Sequence, residues 1–164
     1  MIRFHTALES LMVPAESVTP DPRNPNNGET DEIIASIQLS GCYRPVYAAR
    51  ETGHIVAGHH LYAALLELGA DHIPVLWLDG DDEQALRILL GDNQIARLAR
   101  MDDALLLGLL RDLQDTGLGL LGTGYTDESI DRLLRDHPAE YTPPPDPEPL
   151  TCPHCGQPID RSLL

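Results

Sequence analysis

The stretch HIVAGHHLYAALLELG, residues 54–69, decides the fold. An apolar run that predicts a strand passes through Gly58 into a segment with helical spacing, which ends at Gly69. A glycine between a strand and a helix places the first helix amides, and the positive end of the helix dipole, at an open edge where an anion could bind. His59 and His60 would be the first side chains that such an anion meets.

Helical segments and strands alternate around this stretch, and turn residues separate them. The predicted elements are a helix over 31–40 between a Thr30 cap and Gly41, a strand over 44–50, a turn at 52–53, and a strand over 72–80. Together with the opening stretch, this order indicates a small α/β domain over residues 1–100.

The chain becomes helical after residue 80. The segment DDEQALRILLGDNQIARLA predicts a helix, broken or not at Gly91, and Asp92-Asn93 fits either a ligand pair or a cap where the helix restarts. The remaining boundaries are a helical extension over 101–137, a proline-rich acidic linker over 138–150, and a C-x-x-C tail over 151–164. The last predicted helix begins with acidic residues, so we expect packing or a partner surface there rather than a DNA-recognition helix.

Composition limits the function classes. The formal charge is −15, with 26 acidic residues against 11 basic ones, so the average field of the protein repels nucleic acid. All the basic residues are arginine, which excludes Schiff-base chemistry and a P-loop lysine. No signal-peptide layout or membrane-spanning run is present, and three cysteines make no disulfide framework, so we expect a cytoplasmic protein without a membrane partner.

Four motifs follow one another over about ninety residues. They are Asn24-Pro25, SIQLSGCYRPV, IVAGHHLYAALLELG and HIPV. In this order they resemble the ParB/sulfiredoxin-like family, also called the ParB-like nuclease domain, over residues 11–100. The segment LGDNQIARLA further resembles phage and mobile-element members. The expected fold class is therefore α/β: a small ParB/sulfiredoxin-like mixed sheet with helices, a short helical extension and the C-x-x-C tail.

The resemblance implies a site for a phosphorylated ligand with a divalent ion, Mg²⁺ with CTP or ATP. Carried over residue by residue, the glycine-to-helix junction that holds phosphates corresponds to Gly58, His59 and His60. The turn that approaches the base or phosphate corresponds to Arg44 and Pro45. The full set of implied ligand-binding residues is Asn24, Arg44, Pro45, Gly58, His59, His60, Asn93 and Arg97, with Asp92 and Asn93 as metal ligands and His59, His60 and Asp92 as catalytic residues.

Two departures from the family pattern leave several functions open. Leu61 occupies the position where members usually carry an arginine, and it cannot pair with phosphate. Sulfiredoxins carry a catalytic cysteine in this loop, where the present chain has histidine. The first expectation is a nucleoside phosphate-binding protein that acts in DNA transactions, as a CTPase, an ATPase or no enzyme at all. The alternatives are a metal-dependent ParB-like nuclease and a non-catalytic adaptor, and a homodimer and DNA contact, direct or through a protein partner, are open.

The C-terminal motif CPHCG has the form of a zinc knuckle, whose tight turn directs two thiolates at one metal. Cys152 and Cys155 are its predicted ligands. A complete site needs four ligands, so a site shared between two chains, a truncated remnant, and completion by a distant histidine stay open.

Overall fold

A computed structural model of the chain describes residues 2–136. They form an α/β domain with a five-stranded mixed sheet and a helical extension, as the sequence predicts. The strands are β1 (Met12–Pro14), β2 (Thr19–Pro20), β3 (Val46–Ala49), β4 (His54–Ala57) and β5 (His72–Leu78), and the helices are α1 (Asp31–Ser40), α2 (His59–Glu67), α3 (Asp82–Leu98), α4 (Asp103–Gln114) and α5 (Asp127–Asp136), with 3₁₀ turns at Thr6–Leu11 and Ala15–Ser17. Within this part of the chain, no helix is long and apolar enough to cross a membrane.

The sheet has the strand order β1-β5-β3-β4-β2. Strands β3 and β4 form the predicted antiparallel hairpin, and β3 pairs in parallel with β5. The edge strands β1 and β2 are short and were not predicted, because each ends in a proline that cannot donate to a ladder. Their pairing partners are β5 and β4, which places the loop that follows β2 beside the β4 edge.

Successive residues of β4 pack into two different hydrophobic cores, because side chains alternate between the two faces of a strand. Ile55 is fully buried in the larger core, with α1 and α2 on that face of the sheet. Val56 points to the other face, where it packs with Ala49 of β3 and with Ala85 and Leu89 of α3. The sheet therefore separates the packed faces of α3 from those of α1 and α2.

The helical extension has its own small core and a close contact with the α/β domain. Leu107 and Leu110 of α4 pack with Ile130 of α5. In the preceding loop, Gly122 has a φ of +74°, and a Cβ atom there would lie 3.1 Å from the Cα atom of Ser36 in α1. Only glycine allows this approach, so the loop backbone rests directly on α1.

Helix α3 runs unbroken through Gly91. Its cap lies at the other end, where the Asp81 side chain accepts a hydrogen bond of 2.8 Å from the backbone N–H of Gln84. The interpretation of Asp92-Asn93 as a cap for a restarted helix is therefore wrong, because both residues are in the helix interior.

Thr30 precedes α1, as predicted, but its side chain does not cap the helix. Its hydroxyl instead donates a hydrogen bond of 2.8 Å to a carboxylate oxygen of Glu67 at the end of α2. The side-chain cap is missing because Thr30 has helical backbone angles, φ −102° and ψ −14°, rather than the extended angles from which an N-cap side chain reaches the helix amides. Gly41 ends α1 with a positive φ of 79°, as the sequence indicates.

A buried carboxylate holds the loop after β2 to the start of α3. The Asp21 side chain is 1% exposed and lies 2.8 Å from the Arg23 guanidinium, which also contacts Asp82 at 2.8 Å. The hydrogen bonds from Arg23 lower the pKa of Asp21 from 3.8 to about 2. They also raise the pKa of Arg23 above its ordinary value and lower that of Asp82. This triad links segments about sixty residues apart.

The pKa of Asp21 predicts an acid-labile contribution to stability. Because its folded pKa is below the unfolded value of 3.8, the carboxylate stabilises the fold above pH 3.8, and this contribution is lost as the pH falls towards 2. We expect a loss of about 2 kcal/mol over that range. Urea titrations at a series of pH values test this. An Asp21→Asn variant should lack this component, and an equally steep acid loss in that variant would contradict the assignment.

Candidate functional site

The glycine in the opening stretch sits where the chain leaves β4 and enters α2. Gly58 has a φ of +86° and a ψ of 26°, the left-handed conformation that glycine adopts without strain. Helix α2 begins at His59, so its free amides and the positive end of its dipole lie at the carboxyl end of β4. No side chain caps this end among the described residues, which leaves those donors open to a ligand.

A cavity of about 180 Å³ opens at this junction. It is bounded by the loop after β2, the turn after α1, the start of α2 and the middle of α3. Eight of the predicted ligand-binding, catalytic and metal-binding residues line it: Asn24, Arg44, Pro45, Gly58, His59, His60, Asp92 and Asn93. Residues that are seventy positions apart in the chain therefore come together at one place. Arg97 is exposed farther along α3 and does not line the cavity.

Three asparagines join one wall of the cavity to another. The Asn93 amide donates to the side-chain oxygen of Asn24 at 3.1 Å and accepts from the Asn26 amide at 3.0 Å. Asn24 also accepts from the backbone N–H of Asn26 at 3.2 Å, which is an Asx turn. The Asn-Pro loop is thereby fixed to α3, so Asn24 and Asn93 have a structural role beside any contact with a ligand.

The two histidines have different environments. The Nε2 atom of His59 is buried and has no hydrogen-bond partner within the described part of the chain. Burial lowers the pKa of His59, although the carboxylates of Asp21 and Asp92 act in the opposite direction. His59 is therefore neutral at neutral pH, and it offers a hydrogen bond rather than a charge. The His60 ring packs on Gly28, where a Cβ atom would be 3.0 Å from its Nε2 atom.

Two charged groups face the cavity without a hydrogen bond from their side chains to any described residue. Arg44, from the turn after α1, is exposed, and its guanidinium forms neither a hydrogen bond nor an ion pair there. Asp92, on α3, is also exposed, and its carboxylate accepts no hydrogen bond there. A free guanidinium can bind phosphate, and a free carboxylate can bind a cation.

The turn that carries Arg44 is held by the first residues of the structure. The Arg3 guanidinium donates to the carbonyl of Leu39 at 3.1 Å, and the Cys42 N–H donates to the carbonyl of Arg3 at 2.8 Å. The His5 N–H in turn donates to the carbonyl of Cys42 at 3.0 Å. Gly41 has no room for a side chain, because a Cβ atom would lie 3.0 Å from the Arg3 carbonyl oxygen. These hydrogen bonds and the close contact at Gly41 hold the turn against the last residues of α1.

A second cavity, of about 230 Å³, adjoins the first and shares Ile33, Arg44 and Leu61 with it. Its far wall is the glycine-rich loop at Gly122, which belongs to the helical extension. Leu61 is 3% exposed and packs in the main core, so the residue that replaces the family arginine forms an apolar wall between the two cavities.

The predicted metal ligands on α3 are Asp92 and Asn93, and a metal ion needs more ligands than these two. Within residues 2–136, no group of three His, Cys, Asp or Glu side chains is placed to hold a metal ion. Asp92 offers a free carboxylate and Asn93 an amide oxygen that already accepts a hydrogen bond from Asn26, and Mg²⁺ commonly takes one or two protein oxygens and completes its shell with water and phosphate. These two residues therefore fit Mg²⁺ only in company with a phosphorylated ligand. Cys152 and Cys155, the predicted zinc ligands, lie outside the described residues.

Five lining residues were not predicted as site residues: Asn26, Ile33, Tyr47, Ala57 and Leu61. The Asx turn at Asn24 gives no signal for the Asn26 side chain, because the turn uses only the backbone N–H of that residue. Ile33 and Tyr47 had no signal either, since an apolar residue in a helix and a tyrosine in a strand are ordinary core residues.

The sequence matches no protein-family model, and no curated protein is significantly similar to it. Solved structures do match. A C-terminally truncated chromosome-partitioning protein ParB from Caulobacter crescentus, complexed with CTP-gamma-S, has a TM-score of 0.53 and 20% identity over 75% of this chain and 69% of that chain. The same protein complexed to the centromeric parS site has a TM-score of 0.43 and 19% identity over 76% and 70% of the two chains. A pNOB8-like ParB N-domain has a TM-score of 0.44 and 16% identity, with 76% and 56% covered.

The first of these likenesses shows that the present chain has a ParB-like fold. The predicted ParB/sulfiredoxin-like domain is thereby confirmed as a fold. CTP-gamma-S and parS DNA are ligands of the Caulobacter protein.

Proposed function

We propose that this chain binds a nucleoside triphosphate, CTP or ATP, together with Mg²⁺, and acts in DNA transactions as a ParB-like protein. One observation carries the proposal: eight residues chosen from sequence motifs line a single cavity at an uncapped helix N-terminus. The fold likeness to a ParB that is complexed with CTP-gamma-S supports the choice of ligand. A role in phage or mobile-element DNA rests on the LGDNQIARLA segment alone.

The chemistry of the cavity suits a phosphate chain. The helix amides and dipole contribute about 0.3–1 kcal/mol to anion binding at an exposed site, which is too little to hold a nucleotide alone. Arg44 adds a charge-assisted hydrogen bond of about 1.5–3 kcal/mol. The neutral His59 adds an uncharged donor or acceptor from a buried position. Mg²⁺ held by Asp92 and Asn93 would neutralise phosphate charge beside an acidic protein.

The nucleotide base has a separate place to bind. The second cavity lies across Leu61 and Ile33 from the first, and both of these walls are apolar. Arg44 borders both cavities, so a ligand with its phosphates beside Gly58 and its base in the second cavity would pass under this one side chain. Hydrolysis of the bound nucleotide, by a CTPase or ATPase activity, is tested by analysis of the reaction products.

Binding of CTP, ATP, GTP and UTP with and without Mg²⁺, measured by calorimetry, tests the proposal. The double change His59→Ala with His60→Ala, and separately Asp92→Ala, should each weaken binding about tenfold or more, a loss of about 1.4 kcal/mol. The free energy of unfolding should change by no more than about 0.5 kcal/mol for the exposed Asp92. Asp112→Ala, which removes an exposed carboxylate outside the cavity, is the matched charge control for Asp92→Ala.

Two outcomes would contradict this assignment. If the histidine variant binds nucleotide normally but melts at a clearly lower temperature, the histidines are structural. If the wild-type chain binds no nucleotide under any metal condition, the proposal fails, and Leu61 marks a cavity that does not take phosphate.

The nuclease alternative has less support. It would need His59, His60 and Asp92 to form a metal centre without a nucleotide, and residues 2–136 offer no group of three such ligands placed for it. The net charge of −15 also disfavours direct binding to a DNA backbone. DNA contact through a protein partner is therefore the more favourable route.

A further inference from the structure

Exposed apolar side chains are concentrated in about a quarter of the described residues. Among residues 2–136, twelve large hydrophobic side chains are exposed, and ten of them lie between positions 88 and 121. Scattered exposed leucines need no explanation, but several that share one helix face can form an interaction surface. None of these ten residues lines the candidate nucleotide cavity.

The clearest part of this cluster is a stripe on α4, formed by Leu105, Leu109 and Leu113. They are spaced four residues apart and therefore follow one another along a single helix face. Their exposures are 44%, 51% and 39%, although the neighbouring face of the same helix buries Leu107 and Leu110 against α5. The stripe is about 12 Å long, which matches two turns of a partner helix.

The charges around the stripe define what it can bind. Residues 101–136 contain eight carboxylates and three arginines. On α4, Asp112 is three residues after Leu109 and borders the stripe. Arg111 lies about 160° around the helix from Leu109, on the far side. The surface is therefore apolar, with Asp112 as its acidic border on α4, in a segment that carries eight carboxylates against three arginines.

We infer that the α4 stripe is a docking surface for a basic amphipathic helix of a partner protein. Such a helix would place its apolar face on the three leucines and its Lys or Arg residues against the acidic border, as in other helix-in-groove interfaces. A second copy of this chain fits less well, because each copy has a net charge of −15 and the two acidic borders would repel. Nucleic acid is repelled for the same reason.

The test uses the full chain and a synthetic probe. The probe is a fluorescent peptide of about 18 leucine and lysine residues, arranged with a helical period. A scrambled peptide of the same composition has the same charge but no apolar face. We expect fluorescence anisotropy to show binding of the amphipathic peptide, with the scrambled peptide weaker by about tenfold or more.

Two variants test whether the amphipathic peptide binds at the α4 stripe. Leu109→Asp should weaken binding of the amphipathic peptide about tenfold or more, whereas Leu66→Asp, at an equally exposed leucine on α2, should change it by less than about twofold. Thermal melting of both variants verifies that they fold. The inference is overturned if the scrambled peptide binds equally, or if Leu109→Asp has no more effect than Leu66→Asp. It is also overturned if sedimentation shows a wild-type dimer that Leu109→Asp dissociates, because a second copy then occupies the stripe.

Discussion

Replacement of Arg23 by alanine is expected to lower the free energy of unfolding by about 3 kcal/mol. The change removes the guanidinium that neutralises Asp21, whose side chain is 1% exposed. A buried carboxylate without its partner is costly, and only the hydrogen bond from the backbone N–H of residue 23 remains to it. Urea denaturation monitored by circular dichroism measures the loss.

Arg50→Ala is the control for Arg23→Ala. It removes the same charge from the ion pair between Arg50 and Asp79, whose side chains are 57% and 83% exposed, so we expect a loss below about 1 kcal/mol. The double variant Asp21→Asn with Arg23→Ala should regain part of the stability, because no buried charge is left unpaired. Equal losses for Arg23→Ala and Arg50→Ala would show that the burial of Asp21 has no energetic consequence.

Leu89→Ala has the second large expected effect, a loss of about 3 kcal/mol in the free energy of unfolding. Leu89 is fully buried and is the largest side chain of α3 in the core that joins this helix to β3 and β4. Truncation leaves a cavity between the helix and the sheet. Since α3 also carries Asp92 and Asn93, a loosened helix should weaken nucleotide binding as well.

The neighbouring residue provides the control for Leu89→Ala. Leu90 is 49% exposed, so Leu90→Ala removes the same atoms without opening a cavity and should cost less than about 0.5 kcal/mol. Hydrogen exchange adds a local measurement: amides of α3 should lose more protection in Leu89→Ala than amides of α2. A similar loss of stability in both leucine variants would mean that α3 is not anchored through Leu89.

The fold was largely predictable because its main signals are local. The glycine at position 58, the strand that precedes it and the helical spacing that follows it all act within sixteen residues, and the structure contains the same elements there. The same holds for α1 with its stop at Gly41, and for β5. The edge strands were missed because two or three residues ending in proline give no periodic pattern.

Most of the polar lining of the candidate cavity was predictable as a set of residues, but the contacts between those residues were not. The motifs identify Asn24, Arg44 and Asp92 as polar residues in particular loops and helices. They do not reveal that Asn93 bonds to Asn24, or that His59 is buried enough to stay neutral, because both facts depend on pairs that are distant in the chain. Likewise, no local pattern links Asp21 to Asp82 through Arg23.

The loop from Asp21 to Asn26 is attached to α3 at two points that respond differently to acid. At one end the attachment is ionic, through Arg23, and it weakens as Asp21 and Asp82 become protonated. At the other end three neutral amides make the contact, and amides do not titrate. An acidified protein should therefore release this loop in a fixed order, from its Asp21 end first, with the wall of the cavity at Asn93 the last part to detach.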